Sequence, residues 1–436
     1  MKFVSDIEKK KYETFVKKHQ KSHFLQSYAW GQFSYVARKL IPHYVGMVDD
    51  KGKLVCASLL LEKKLPLGYS YFYAPRGYVI DFYDKELLKE FTEELKKYVK
   101  KEKAIFIKID PDIIWKEYDY KDEEVKLDKD PKEAFNNLKS LGYKHLGFTK
   151  NFETMQPRYS FRIDFNQDLD TIQSKFNTTT KQRVRKGYTL NPDIRKGTID
   201  DIEEFNHLME LTESRKDFLS HDLDYYKNLY KIYTKDNDIA LYMGSINCNN
   251  IIKVYKDEKD IKEKELDKLK QIENPSKSNK TKMSEIEKRI DKLNEYIDEY
   301  TKAKEEFGNI ITLSSQFVIE YGNKAWVLYA GNHNILTDSF VNYATYFEHM
   351  KYCKENGITM YDQFGTIGDL NEKNPRYGLH IFKKKFGGDY VEFMGEWDLI
   401  LNKKMYLAFT KLVPLYRNTV RKITKHKLKR RSHEDN

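Results

Sequence analysis

Tyr361-Asp362-Gln363-Phe364-Gly365, followed by Gly378-Leu379-His380-Ile381-Phe382-Lys383-Lys384-Lys385-Phe386-Gly387-Gly388, is the stretch around which the rest of the chain can be read. The first segment reads as a strand end that breaks into a loop at its glycine. An αβ unit leads into it: a helix over Phe340 to Glu355, a stop at Gly357, then Ile358-Thr359-Met360. The second segment reads as a short helix closed by Gly387-Gly388, with three lysines near its C-terminal end. A carboxylate, a tight loop and a lysine cluster therefore fall within one short span. The plainer reading is a core strand and a helix end that carries lysines because cations favour that end.

Working outward, residues 1 to 155 read as an α/β domain. Helices are expected over Asp6 to His19 and Gln26 to Lys39. Strands follow at Tyr44 to Val48, Lys53 to Lys64 and Tyr69 to Ala74, the first two joined by the turn Asp49-Asp50-Lys51-Gly52. A long helix spans Lys85 to Lys101, a strand Ala104 to Ile109 ends at Asp110-Pro111, and a helix over Lys132 to Leu141 stops at Gly142. A second α/β domain covers 156 to 393. It opens with a strand at Tyr159 to Phe165 and helices at Leu169 to Phe176, Asn177 to Lys186 and Ile199 to Arg215. It continues with a strand at Ile239 to Asn247 and a hairpin of Ile310 to Tyr321 with Lys324 to Ala330. The fold class is α+β with mixed α/β sheets.

Residues 255 to 306 break this pattern. Ile261, Leu266, Leu269 and Ile272 share one helical face, and Met283, Ile286, Ile290, Leu293, Ile297 and Tyr300 recur at spacing three and four. Nearly all else there is Lys, Glu or Asp, and Asn274-Pro275-Ser276 forms a tip. This predicts an antiparallel coiled-coil helical hairpin inserted in the second domain. At about 1.5 Å per residue, arms of roughly twenty residues reach about 30 Å. A dimer or scaffold contact and a tRNA contact are both compatible with its nearly balanced charge.

The chain has 436 residues, a net charge of +11 and three cysteines. Cys56, Cys248 and Cys353 are scattered without metal-ligand spacing, which predicts free thiols in a reducing cytosol and no metal or cofactor. The N-terminus lacks the apolar run of a signal peptide, and no stretch of about 18 apolar residues predicts a membrane span. Arg417, Arg421, Lys422, Lys425, Lys427, Lys429, Arg430 and Arg431 form a basic tail without an acid. It reads either as a solvated tail or as peripheral contact with an anionic surface, tRNA or the inner membrane face. In Thr180 to Lys186, Lys181, Arg183 and Arg185 alternate before Gly187 and form a candidate tRNA or phosphate contact.

Tyr-Asp-x-x-Gly, then Phe-Lys-Lys-x-Phe-Gly, then Glu396-Trp397-Asp398 resembles the Fem family of non-ribosomal peptidyl transferases (FemA, FemB, FemX). Collinear pieces extend the resemblance from residue 24 to about 410: Phe24-Leu25-Gln26-Ser27 with Trp30, Tyr73-Ala74-Pro75-Arg76-Gly77, Ile107 to Pro111, Gln156-Pro157-Arg158 and Trp326-x-x-Tyr329-Ala330-Gly331. The resemblance implies two tandem GNAT-like acyltransferase domains, the first completed by 394 to 436. It implies transfer of an amino acid from aminoacyl-tRNA to the stem-peptide or bridge amine of a peptidoglycan precursor, lipid-linked or UDP-linked, in the cytoplasm, with a homodimer or Fem-type partner as further expectation. FemA and FemB carry a helical arm at this place and the shorter FemX type lacks one, which sets the chain with FemA and FemB.

Aminolysis of an activated ester needs no ATP or metal; it needs positioning and a fixed positive charge for the oxyanion. The resemblance gives that role to Lys383, with Phe382 shaping the site. Asp110 and Asp362 are candidates to orient or deprotonate the amine, though carboxylates at strand ends often only cap loops. Arg215, Tyr329, Arg76, Arg158 and Arg38 are the candidate precursor contacts, arginine suiting diphosphate. The family's lysine after the early tryptophan is replaced here by Gly31-Gln32. The rival readings are an acyl-CoA-dependent N-acyltransferase, against which the missing Gly-rich pyrophosphate loop counts, and a non-catalytic tRNA-binding scaffold.

Overall fold

Leu54–Lys64 is apolar along most of its length and buried on both faces, as an interior strand must be. It pairs antiparallel with Ile41–Val48 on one side and Ser70–Ala74 on the other. Ser70–Ala74 continues parallel to Ala104–Ile109. Next comes Trp397–Ile400, from the far end of the chain, antiparallel both to Ala104–Ile109 and to Tyr143–His145. With Lys2–Val4 at the opposite edge this makes one seven-stranded mixed sheet. Helix Lys85–Lys100 is started by the Asp84 carboxylate, which accepts from the Leu87 N–H. It lays Leu88, Phe91, Leu95 and Val99 into the core beside Phe72, Ile107 and Trp397. The computed structural model describes residues 1–215 and 220–411, without the side chains of 214 and 215. The basic tail from Arg417 to Arg431 lies outside the described residues.

The chain divides into two units: Met1–Glu117, Glu124–Tyr159 and the segment from Val391 onward form the first, and Tyr118–Glu123 with Ser160–Tyr390 form the second. In the second unit Tyr159–Asp164, Met360–Asp362, Lys324–Asn332, Ile310–Tyr321, Ile239–Asn247 and Asp193–Lys196 lie side by side in that order. All neighbours are antiparallel except Met360–Asp362 and Lys324–Asn332, which are parallel. Helix Val341–Glu355 packs Tyr343, Tyr346, Phe347 and Met350 onto this sheet against Val318, Ala325 and Tyr361. Two mixed sheets with packed helices make a mixed α/β protein, the class expected from the sequence.

Strands Ile239–Asn247 and Ile310–Tyr321 pair directly, and the chain between them leaves the sheet as two helices, Cys248–Lys270 and Lys277–Phe307. Cross-helix contacts run in opposite chain directions, which makes the pair antiparallel. Tyr255 stacks on Tyr296 at 5.2 Å, Glu258 takes Arg289 at 2.7 and 2.8 Å, and Glu265 takes Lys282 at 2.8 Å. Leu266, Ile286, Leu293 and Tyr300 are buried in the seam. Ile261 and Ile272, expected in that seam, are 63% and 39% exposed: Ile261 lies about 140° around the helix from Leu266 and Ile272 falls beyond the helix end at Lys270.

Candidate functional site

In the second unit the site is built by two short elements. Strand Met360–Asp362 is held on one side by Tyr159–Asp164, in a register that puts Asp362 opposite Arg162. Alternation then aims Ser160 and Arg162 at the same carboxylate. Asp362 accepts from the Ser160 hydroxyl, from Arg162 Nε at 2.8 Å and from the Phe364 N–H at 2.8 Å. Three donors therefore engage this carboxylate, which anchors the loop. The loop itself turns sharply: Phe364 has φ 51° and Gly365 φ 42°. Positive φ at a phenylalanine is uncommon and marks a backbone held by its surroundings.

That turn points two carbonyls at Lys383. Its Nζ donates to the carbonyl of Phe364 and, at 2.7 Å, to that of Gly365. Lys383 lies on helix Tyr377–Lys384, and Gln363 ties helix to loop: its Nε2 donates to the Lys383 carbonyl at 3.0 Å and its Oε1 accepts from the Tyr346 hydroxyl at 3.1 Å. Lys383 is partly exposed as a residue, but its amine is enclosed. Burial pushes it down to about 7, with the Asp362 charge acting the other way. An ammonium here has one N–H left beyond the two carbonyls; a neutral amine has its lone pair left. Phe382 fills the space behind it, within 5.5 Å of the Tyr343 ring and 5.3 Å of Phe386. Lys384 instead pairs with Asp122 at 2.6 and 2.7 Å on the surface.

The lysine titrates near 10.5 in an unfolded chain. Between about 7 and 10.5 the unfolded state thus holds a proton that the folded state has released, so this group makes stability rise with pH. Denaturation of wild type and Lys383→Met at pH 7 and pH 9 reads this out: wild type gains on the variant at the higher pH, and an unchanged difference counts against it. The helix is closed by Gly387, at φ +67°, where a Cβ meets the Lys175 carbonyl oxygen at 2.5 Å. Gly387→Ala is expected to cost roughly 1–3 kcal/mol, because both the φ and the backbone contact oppose a side chain; urea denaturation checks it.

The other predicted residues of this unit are dispersed. The Tyr329 hydroxyl meets that of Tyr225 at 2.9 Å, and the His221 ring stacks on Tyr225 at 3.7 Å. Lys181 Nζ donates to the Ser174 carbonyl at 2.6 Å. Arg183 donates to the Tyr343 hydroxyl at 2.8 Å and covers the Phe340 ring at 5.1 Å, whereas Arg185 is exposed. Arg215 ends helix Ile202–Arg215, and its side chain lies outside what is described.

In the first unit Asp110 closes strand Ala104–Ile109 and is buried. It accepts from the Tyr73 hydroxyl at 2.9 Å and from the Arg76 N–H at 2.6 Å, Arg76 being held at φ 59°. Burial raises Asp110 to about 7 despite the neighbouring Arg76 charge. Arg76 donates to the Pro157 carbonyl at 3.0 Å and covers Phe393 at 4.4 Å. Arg158 is buried, donating to Glu392, to the Thr149 carbonyl at 3.1 Å and to the Tyr159 hydroxyl at 2.5 Å. Arg38 is exposed at its helix end, 5.8 Å over Trp30. Sequence reasoning quoted Glu396-Trp397-Asp398 without a role: Glu396 and Asp398 take Lys108 Nζ at 3.1 and 3.0 Å. It also passed over Gln363, Ser160 and Arg162. The strict alternation of Tyr159 to Asp164 is the signal that would have found the last two.

The sequence model of the FemAB family matches residues 7–413. Curated relatives include the lipid II:glycine glycyltransferase of Staphylococcus epidermidis, 30% identical over 429 residues, 97% of each chain. That of Staphylococcus aureus is 29% identical over 434 residues, 98% of this chain and 99% of the relative. Among solved structures, that of FemX superposes with a TM-score of 0.77 at 28% identity, covering 94% of this chain and 99% of its own.

Proposed function

The chain belongs to the FemAB family, and on that premise we propose that it is an aminoacyltransferase of peptidoglycan assembly. It moves an amino acid from aminoacyl-tRNA onto an amine of the peptide in a lipid-linked precursor. The observation that carries this reading is the end-to-end likeness to relatives named for transferring glycine to lipid II. The acceptor amine attacks the ester carbonyl, the ester C–O bond breaks, and the amine's proton ends on the ribose hydroxyl released. Lys383, as ammonium, steadies the tetrahedral oxyanion; a cation in an enclosed site acts more strongly than one in water. Asp110 is buried in the first unit, where it accepts from the Tyr73 hydroxyl and the Arg76 N–H. Arg76 and Arg158 are engaged within the first unit, and the exposed Arg185 is the candidate for tRNA phosphate. Among the described residues no helix is long and apolar enough to cross a membrane; the acceptor's lipid supplies the anchor, at the cytoplasmic face.

The test is incubation with lipid II and tRNA charged with a labelled amino-acid mixture, followed by mass analysis. The expected product is precursor extended by amino-acid residues, formed only with charged tRNA. Product formed from acyl-CoA instead, or tRNA bound in a salt-sensitive way without product, overturns the proposal.

A further inference from the structure

Helix Val341–Glu355 carries His349 and Cys353 one turn apart, so both side chains leave the same face. That face lies on the sheet where three neighbouring strands present Glu320, Ala325 and Tyr361 in register. The small Ala325 leaves room above it, and the His349 ring spans the gap. Its Nδ1 meets the Tyr361 hydroxyl at 3.0 Å on one side. On the other, its Nε2 lies 3.1 Å from Cys353 Sγ and 3.7 Å from Glu320 Oε1. The three terminal atoms, a nitrogen, a sulfur and an oxygen, all lie within 4.8 Å of one another. Two polar atoms at this spot are buried without a hydrogen-bond partner: Glu320 Oε1 and the Tyr242 hydroxyl. The Tyr242 ring is 4.8 Å from that of His349. Unsatisfied polar atoms around a tight N, S, O triangle are what a site for an ion leaves.

We propose that Glu320, His349 and Cys353 bind one Zn²⁺, with the Tyr242 side or a water completing four-coordination. Zinc bonds of about 2.3 Å to sulfur and about 2.0–2.2 Å to nitrogen and oxygen give ligand separations of roughly 3.3–3.7 Å in a tetrahedron. Reaching them requires His349 and Cys353, at 3.1 Å, to open slightly and the widest pair of the triangle, within 4.8 Å, to close by up to about 1 Å. The mixed donor set selects zinc over magnesium or calcium, which take oxygen ligands. Binding converts the Cys353 thiol to a zinc-bound thiolate and releases its proton to solvent. Carboxylate and thiolate then balance the two charges of the metal. Lys196, whose Nζ sits 3.5 Å from the Tyr352 ring centre and 5.8 Å from that of Tyr242, is the nearby cation that the neutral site tolerates. The Tyr361 hydroxyl acts as the outer partner that orients the ring. The zinc is thereby a clamp between the helix and strand Ile310–Tyr321, and the Tyr361 hydroxyl on His349 links it to the strand that ends in Asp362.

The experiment uses the full chain, stripped with chelator and desalted. Titration with Zn²⁺ against a chromophoric chelator is expected to show one tight site per chain and a rise in Tm of at least about 2 °C. Co²⁺ in its place gives a thiolate-to-metal charge-transfer band with tetrahedral ligand-field bands. Glu320→Gln and Cys353→Ser each weaken zinc roughly 100-fold or more, and Tyr361→Phe roughly 10- to 100-fold. Circular dichroism confirms that each variant is folded, and Glu320→Gln, at the edge of the cluster, is the variant least disturbing to packing. A folded wild-type chain that holds no zinc overturns the proposal. So does a cobalt–thiolate band that persists in Cys353→Ser.

Discussion

Lys383→Ala lowers amino-acid transfer by about 10²–10³-fold, while affinity for the lipid-linked precursor stays within about twofold. The size follows from what the amine does. Its two bonds to the Phe364 and Gly365 carbonyls fix it in place before any substrate arrives, so no reorganisation is needed when the oxyanion forms. Alanine removes the amine and leaves the Phe364 and Gly365 carbonyls without that donor. Single-turnover kinetics with charged tRNA separates the chemical step from binding. Lys384→Ala serves as the internal control, since its surface pairing with Asp122 is worth at most about 1 kcal/mol and transfer should be nearly unchanged. Equal loss of transfer and precursor affinity in Lys383→Ala would move the residue from chemistry to binding.

Lys108→Met destabilises the first unit by about 3–5 kcal/mol. Lys108 Nζ sits between Glu396 and Asp398, with side-chain exposures of 16%, 10% and 4%. Burial disfavours its charge, but the two carboxylates outweigh that and raise its affinity for the proton. Glu396 also takes the Met155 N–H at 2.6 Å, and Asp398 the Tyr406 hydroxyl at 2.7 Å. Methionine keeps much of the volume but strands two negative charges away from water. Adding Glu396→Gln and Asp398→Asn should return most of the loss, because the cost lies in uncompensated charge rather than in the missing pair. Denaturation followed by the fluorescence of buried Trp397 reports on the same strand.

Long periodic elements were legible from the chain alone. The helix expected over Lys85 to Lys101 runs Lys85–Lys100, and the strand expected over Ile310 to Tyr321 has those bounds. Short edge elements were not: Lys2–Val4 is a strand, and the first helix begins at Lys9 rather than Asp6. Three residues carry too little alternation to reveal a period. At the site, the sequence brought Asp362 and Lys383 near each other but could not show that Asp362 is already occupied by Ser160 and Arg162, some two hundred residues earlier. Lys108 with Glu396 and Asp398 is hidden for the same reason. His349 and Cys353 stood one turn apart in plain view, yet the third member, Glu320, comes from another strand, so no spacing rule could flag the group.

Trp397–Ile400 is an inner strand of the first sheet, flanked by Ala104–Ile109 and Tyr143–His145. On the ribosome, that slot stays vacant while all of the second unit is made. At about 5–20 residues per second, the wait between Ile109 and Trp397 is roughly 15–60 s. The isoleucine-rich edge Ala104–Ile109 stays open meanwhile, a natural client for a chaperone, and nascent chains halted before Trp397 should pellet where finished ones do not.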